Sequence, residues 1–567
     1  MPTSRIPLTQ PIENRGPDFS KDSRGVNCYF ETRDQKREII KRPGLDYCTT
    51  ITTATIPNIV QGQGLAEFRG QIIAVIDNKV WKVDPVTYDQ TYLGVIQGQV
   101  EQVSFTKDFL DNNLFFHNAY NFYSIDKNWI LTHLTSTSVA STTVMVTGSG
   151  FTTSSTVTFT APPTGGVLAT GDAVISGGGI LSVIITNPGS GYLTAPTFIV
   201  TGGTVNASGT SVLNVIPDPN FAVGTVFLDQ YVFVGCCNNR IYNSYLNDCN
   251  KWDALSYISF EQSTDRLLGI AKHLNYLVAF GEWSIQFYYD AGTTPGSPLA
   301  VASSYMSEIG LAAPGSLVQT EQSIIWVGRS RSNGPGVYVM DGTSPIRISS
   351  HGIERVLQAS CLDEVTAYTV KVNGHMFYIL TLHDLNVTMV FDLAEKVWYQ
   401  WTMWTTASND QPDPTIVSEG YFRPCYYCQA NNDTFVLDDD NGVLYKLNTF
   451  KYSDVNTPIY FRSVTDIMDS GTTKRKFYNR VEVIGDKVPG TLLIRHTGDD
   501  YNNWSKYREV NLMSPRCQIY QTGSDRRRAW EIFCTENVPL RLDSIEVDFS
   551  VGELDQDSQV GKENYRR

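Results

Sequence analysis

Seven times between Leu65 and Leu447 the chain repeats one unit: a short apolar strand, a tight polar turn, and a second strand carrying Tyr, Phe or Trp. Ile72–Ile76 and Val80–Asp84 flank Asp77-Asn78-Lys79 in the first copy, and Asp111–Phe116 with Asn121–Asp126 form the second. The third runs from Val226 to Val234, the fourth pairs Tyr276–Phe280 with Ile285–Tyr288, and the fifth pairs Ile324–Val327 with Val337–Met340. Met376–Leu380 with Met389–Asp392, and Thr434–Leu437 with Val443–Leu447, complete the set. Alternation on both sides of Asn, Asp or Gly specifies hairpins, because these residues adopt the tight-turn conformations at little cost. With one insertion set aside, the copies return every roughly forty to sixty residues, the period of a four-stranded propeller blade. About seven blades are expected on that period. Hairpins belonging to unrelated sandwiches are the alternative.

The residue content agrees with strands. Aromatics make up 12% of the 567 residues, and long Ala/Leu/Glu/Lys runs are missing. At ~100–200 residues per domain, the length suggests three or four units. A formal net charge of −14 repels a phosphate backbone, so an outer surface that grips DNA is not expected; a conduit that lets DNA slide is compatible with it. Met1–Pro7 has no apolar stretch of signal-peptide length, and no uncharged apolar run reaches the ~18 residues of a spanning helix. The expectation is a soluble protein made in the cytoplasm, with no stable membrane insertion. Ten scattered cysteines at no repeating interval are expected as free buried thiols.

Two segments depart from the hairpin pattern. Thr135–Pro217 is rich in Thr, Ser, Gly, Val and Ile and almost uncharged, and Asn187-Pro188-Gly189 punctuates short β-branched strands. A small β-sandwich projecting from a loop fits it, and Ile184–Thr197 resembles a motif of small immunoglobulin-like modules on phage tail proteins. Before Leu65, charges cluster in Arg33–Glu38 and lead into Ile39-Ile40-Lys41-Arg42-Pro43-Gly44-Leu45, a charged strand ending in a Pro-Gly turn. The expected fold is all-β: a β-propeller with an inserted small immunoglobulin-like β-sandwich and a C-terminal β-sandwich. Its division is an N-terminal arm at 1–64, first blades at 65–134, the inserted module at 135–217, remaining blades at 218–454, the C-terminal sandwich at 455–552 and a polar tail at 553–567.

Signatures of catalysis are scarce. There is no Gly-x-Ser-x-Gly elbow, no phosphate-binding Gly-x-x-x-x-Gly-Lys-Ser/Thr loop and no His-Glu-x-x-His helix, and the seven histidines fall in separate units. Cys425-Tyr426-Tyr427-Cys428 has the gap of a zinc knuckle or redox pair, but no second pair or nearby His in the sequence completes a tetrahedral shell. Asp438-Asp439-Asp440-Asn441-Gly442 is dense in oxygen ligands, yet Asn-Gly between apolar strands is the expected hairpin turn. No catalytic residue, cofactor or metal is expected. Thr497–Trp504 approximates the Asp-box of sialidase-like propellers, a structural turn, with Tyr501 where that pattern wants Gly. Arg526, Arg527 and Arg528 beside Trp530 form a channel-wall or subunit-interface candidate, or else an ion-pair ladder with Asp525 and Glu531. Strand alternation would put Arg526 and Arg528 on one face and Arg527 on the other.

From Val481 to Gly552 the order of elements is most specific: Leu492–Arg495, the Gly498–Trp504 turn, Tyr507–Val510, the Arg-rich segment ending Trp530–Phe533, and Pro539–Val547. This order resembles the tail hub, nozzle or packaged-DNA stabilisation proteins of short-tailed bacteriophages, the podoviruses. Tyr276–Tyr289 resembles that family's blade ending in an aromatic strand, and Arg42-Pro43-Gly44 its close of an N-terminal arm. Tyr501 and the insertion depart from the family pattern. The resemblance implies a structural virion protein and not an enzyme: a homo-hexameric ring below the portal–adaptor complex, retaining packaged DNA and forming the conduit for genome ejection. Tail fibres or tailspikes at its side, a tail needle, plug or internal proteins, and passing double-stranded DNA without sequence-specific binding would be its partners. Its place would be the phage tail, after assembly in the cytoplasm of the bacterial host. The alternative from another class is a carbohydrate-binding or glycosidase-type β-propeller acting in host-surface recognition, with converging carboxylates at the blade axis.

Overall fold

The computed structural model describes residues 3–8, 12, 15, 21–33, 36–51, 61–119, 121–134, 138–152, 155–213, 222–261, 264–293, 296–403 and 419–552. The polar tail 553–567, the ends of the insertion at 135–137 and 214–217, and Asp34 and Gln35 of the charged cluster lie outside the described residues.

Six of the seven repeated units become the middle of a sheet. Asp77 and Asn78 both take left-handed backbone angles (φ 48° and 60°) between Gln71–Ile76 and Lys79–Val83, the geometry whose twist matches two antiparallel strands. Adding a strand on each side gives blade one at 62–95, and the same construction gives blade two at 104–134, three at 222–259, four at 267–307, five at 310–347 and six at 365–401. In blade three the repeated unit supplies the first two strands. Blade seven takes only Pro424–Ala430, Asp433–Asp438 and Val443–Asn448 from its own stretch; its fourth strand is Gly44–Thr50, paired antiparallel from Val443 opposite Thr50 to Asn448 opposite Gly44.

The innermost strands pack side by side in a closed circle. Gly62–Phe68 meets Ser104–Lys107, then Ala222–Leu228, Leu267–His273, Val318–Gln319, Val365–Val372 and Pro424–Ala430, which returns to Gly62–Phe68. Closure makes the chain a β-propeller and leaves no inner sheet edge open to aggregation. Between blades four and five, Phe280 and Tyr338 lie against fully buried Trp326, at 5.3 and 5.9 Å between ring centroids. A side chain of that kind, fully buried, contributes ~1.5–3 kcal/mol of transfer free energy. The one α-helix among the described residues, His351–Ala359, is capped by Ser350 and buries Ile353, Val356 and Leu357 after blade five.

The insertion leaves after blade two and returns to blade three. Val139–Val146, Ala207–Leu213, Thr197–Thr201 and Thr156–Phe159 form one sheet in that order, and Thr170–Ser176 pairs with Gly179–Asn187 in a second. Phe151, Phe159, Ile180, Tyr192 and Phe198 fill the space enclosed.

Beyond blade six the sheet continues through Arg24–Val26, Phe461–Val464, Ala529–Cys534, Thr491–Thr497 and Arg508–Asn511. A second sheet faces it, built from Cys28–Arg33, Lys36–Lys41, Arg541–Val551, Lys476–Gly485 and Gln518–Tyr520, with Thr3–Pro7 also on Arg541–Val551. The described part of the first 64 residues therefore does not stand off as an arm. Ile6, Phe30, Ile39 and Leu45 are apolar and fully covered, and the partners that cover them lie in the sandwich and blade seven.

Candidate functional site

Two sequence markers of the C-terminal sandwich form one unit. Asp499 organises the turn by accepting from the Asn503 N–H (2.9 Å), the Asn503 side-chain amide and Thr497 Oγ1 (3.0 Å). Tyr501 holds φ 64°, a conformation that favours Gly; its buried ring and a hydroxyl donating to the Thr465 carbonyl (3.0 Å) offset that strain. Gly498 must be Gly for a different reason: a Cβ there would lie 2.5 Å from Asp525 Oδ1. Asp525 in turn grips Arg528.

The arginine run is a bend between Ser524–Asp525 and Ala529–Cys534, which corrects the expected alternation. Arg526 and Arg527 are both exposed, whereas Arg528 is 1% exposed, held by Asp525 and Thr522 and seated 3.8 Å from the Tyr478 ring centroid and 5.2 Å from that of Trp530. Burial works against the charge of Arg528 and Asp525 offsets it. Trp530 is also fully covered, so neither Arg528 nor Trp530 reaches a channel or a neighbouring subunit from this position. Glu531 does not join a ladder with these arginines. It lies buried between Arg462 and Arg495, and Arg462 continues to Glu419 (2.8 Å), which also takes Arg24 (3.1 Å). Burial opposes the charge of Glu531, but the two arginines hold its carboxyl below the ordinary glutamate value.

Arg42-Pro43-Gly44 joins three parts of the molecule. The buried Arg42 guanidinium makes a bidentate pair with Asp454 (2.9 and 2.6 Å), donates to Asn27 Oδ1 (2.8 Å) and to the Thr402 carbonyl (3.0 Å), and sits 4.8 Å from the Phe422 ring centroid. Gly44 passes so close to the backbone of Ser453 that a Cβ would lie 2.2 Å from its carbonyl oxygen. Nothing in the sequence links Arg42 to Asp454, Thr402 and Phe422 or Gly44 to Ser453, because each pair lies hundreds of residues apart.

At the propeller axis is a cavity of about 1480 Å³ lined by blades two to seven and by Gln61, which leads into blade one. Its charges are of mixed sign: Glu101, Asp363, Glu364 and Asp439 against Lys107, Arg266 and Lys272, with Lys107 paired to Glu67. Arg266 is the one arginine among the described lining residues, so the arginine triad of sialidase-like sites is not assembled here. His383 and Asp439 on this wall come together with the buried Cys425 behind it, their ligand-type atoms within 4.8 Å of one another. Burial, with Asp440 and Asp438 adding repulsion, pushes the Asp439 carboxyl up to about 7. Burial also lowers the His383 imidazole and raises the Cys425 thiol. Sequence spacing drew attention to Cys425 in its cysteine pair and to Asp439 in its acidic turn, but had no means of bringing them together or of adding His383.

Residues 197–451 match the family described as Phage_stabilise: bacteriophage P22 Gp10, β-propeller. That match spans 197–451 of the 567 residues and supports a place near this phage-stabilisation family. The match supports a structural role in the phage tail, in stabilising packaged DNA, and a place in the virion. The family match covers blades three to seven and begins in the closing strands of the insertion; blades one and two and the C-terminal sandwich lie outside it. No curated protein matches. Solved structures similar to this chain include the Pan2 WD40 domain of Neurospora crassa, at 8% identity and a TM-score of 0.37 over 72% of this chain and 95% of that one. The computationally designed Ika8 protein overlays at 11% identity and a TM-score of 0.32, over 72% of this chain and all of its own. Overlays this loose do not define the fold, which rests on the strand pairing and the family match.

Proposed function

We propose that the protein forms the ring-shaped hub or nozzle of a short phage tail, a homo-hexamer below the portal–adaptor complex that retains packaged DNA and conducts it at ejection. The observation that carries this is the family match over blades three to seven. A rigid closed disc with a sandwich fused to one blade offers the two unlike faces that a cyclic, heterologous ring interface needs. Exposed Arg526 and Arg527 provide cationic contacts on such a face of an otherwise acidic chain. The conduit is the hole of the ring and not the propeller axis, whose volume is only modestly above the ~300–1,000 Å³ of small-molecule sites. A net charge of −14 gives passing DNA little to bind. The insertion exposes Met145, Leu181, Ile184 and Val212 and suits docking of fibres or tailspikes, while a needle, plug or internal protein closes the channel. Assembly takes place in the cytoplasm of the host.

Negative-stain imaging of the purified protein, alone and with portal–adaptor complex, tests this. A sixfold ring with an open centre is expected; a monomer that never joins the complex overturns it. Removing residues 138–213 is expected to leave the ring intact and reduce adsorption, and loss of the ring would count against the docking role.

A further inference from the structure

We propose that His383, Cys425 and Asp439 bind one zinc-type divalent metal ion at the seam between blades six and seven, on the wall of the axial cavity. The three ligands come from separate places. His383 directly follows the blade-six strand His375–Leu382, Cys425 lies in the first strand of blade seven, and Asp439 stands in the turn that follows Asp433–Asp438. Each contributes a different donor: an imidazole nitrogen, a sulfur and a carboxylate oxygen. A calcium or magnesium site would be all oxygen, and an iron–sulfur cluster would need several cysteines, so the mixed set selects a borderline-soft ion of the zinc kind.

The geometry divides the two imidazole nitrogens as a metal ligand requires. His383 Nε2 lies 2.9 Å from Thr366 Oγ1, while Nδ1 faces Asp439 Oδ2 at 3.5 Å. That second distance is long for a charge-assisted hydrogen bond, which runs ~2.7–2.9 Å. It equals the roughly 3.5 Å between ligand atoms on a tetrahedral ion with bonds of ~2.0–2.3 Å. With metal on Nδ1, the Nε2–H donates to Thr366, the kind of outer contact that fixes a ligating ring. Cys425 is buried, with the hydroxyls of Thr366 and Thr381 beside its sulfur, and the Asp439 carboxylate takes no hydrogen bond from the described residues. His383 and Asp439 line the cavity, so a fourth position is open to water. On binding, the Cys425 thiol gives its proton to solvent and the thiolate joins the metal.

The ion would work as a clasp. The Asp439 carbonyl also accepts from the Gly62 N–H of blade one at 2.9 Å, so the site ties blade six to seven where seven meets one. It would also neutralise part of the Asp438–Asp440 run, which otherwise repels itself.

The test uses the full-length protein stripped with chelator and titrated with Co²⁺ and then Zn²⁺. One equivalent of Co²⁺ is expected to bind with a thiolate-to-cobalt charge-transfer absorption that Zn²⁺ abolishes, and Zn²⁺ is expected to raise Tm. Cys425→Ser should lose the sulfur band, and Cys428→Ser, which lies outside the cluster, should keep it. Asp439→Asn, on the cavity surface, should weaken Co²⁺ binding by at least ~10-fold and serves if Cys425→Ser does not fold. Absence of the sulfur band in the wild type, an unchanged band in folded Cys425→Ser, or unchanged affinity in Asp439→Asn overturns the proposal.

Discussion

Blades one to five each complete their sheet from one consecutive stretch of chain, whereas the sandwich pairs Thr3–Pro7 and Lys36–Lys41 with Arg541–Val551 across almost the whole molecule. Their interiors differ in kind as well. The clusters between blades three, four and five are apolar, and the buried carboxylate Asp265 is satisfied by the N–H groups of Glu282 and Trp283 and the hydroxyl of Ser284. The sandwich and its junction bury paired charges: Arg42 with Asp454, Arg528 with Asp525, and the chain Arg24–Glu419–Arg462–Glu531–Arg495. A blade is assembled by local alternation and needs no directional partner to find its register. Strands that meet from opposite ends of the chain gain from partners that fit in one arrangement only. Breaking such a partnership leaves a charge stranded away from water.

The largest effect should come from removing residues 1–51, which strips four strands from the sandwich and the outer strand from blade seven. Aggregation or loss of near-ultraviolet circular dichroism is expected; a soluble, native-like product would show that the sandwich does not depend on its long-range strands. Next, Glu531→Ala should destabilise by ~3–5 kcal/mol in chemical denaturation, because two arginines lose their buried counter-ion. A cost near that of a surface change would mean that the network is hydrated and not part of the sandwich interior.

Acid separates the regions more mildly. Burial holds His117 and His133 of blade two and His496 of the sandwich down to about 4, with Arg528 adding to the effect on His496. These rings stay neutral when folded and charge once unfolded, so stability should fall as pH drops from ~6.5 towards 4. His375 works in reverse: its hydrogen bond to Asp392 raises it, so its contribution is complete below the unfolded value and fades as pH rises through the folded one. Thermal melts between pH 7 and 4 of the parent and His117→Phe check this; the variant should lose part of the acid sensitivity. The smallest effects belong to Arg526→Ala and Arg527→Ala, which should stay within ~0.5 kcal/mol of the parent in folding stability. Any larger change would place those side chains inside the sandwich network after all.

All seven hairpins were legible from period-two alternation and from turn residues such as Asp77-Asn78, because the forces that form them act between near neighbours. The C-terminal motif was legible as a marker but not as a contact: nothing local says that Gly498 makes room for Asp525, or that a bend at Arg526-Arg527 turns Arg528 inward. Gly44–Thr50 reads as part of a charged lead-in, yet it closes blade seven because that sheet had an open edge and this strand had an apolar face to cover.

The amino-acid order settled the all-β class and the propeller hairpins, since both depend on spacings of a few residues. Tertiary structure alone decided which ends of the chain pair, which arginines are buried, and that His383, Cys425 and Asp439 come together. Those outcomes depend on closing a ring and a sandwich over long loops, where the partner is chosen by what remains unburied and not by proximity in sequence.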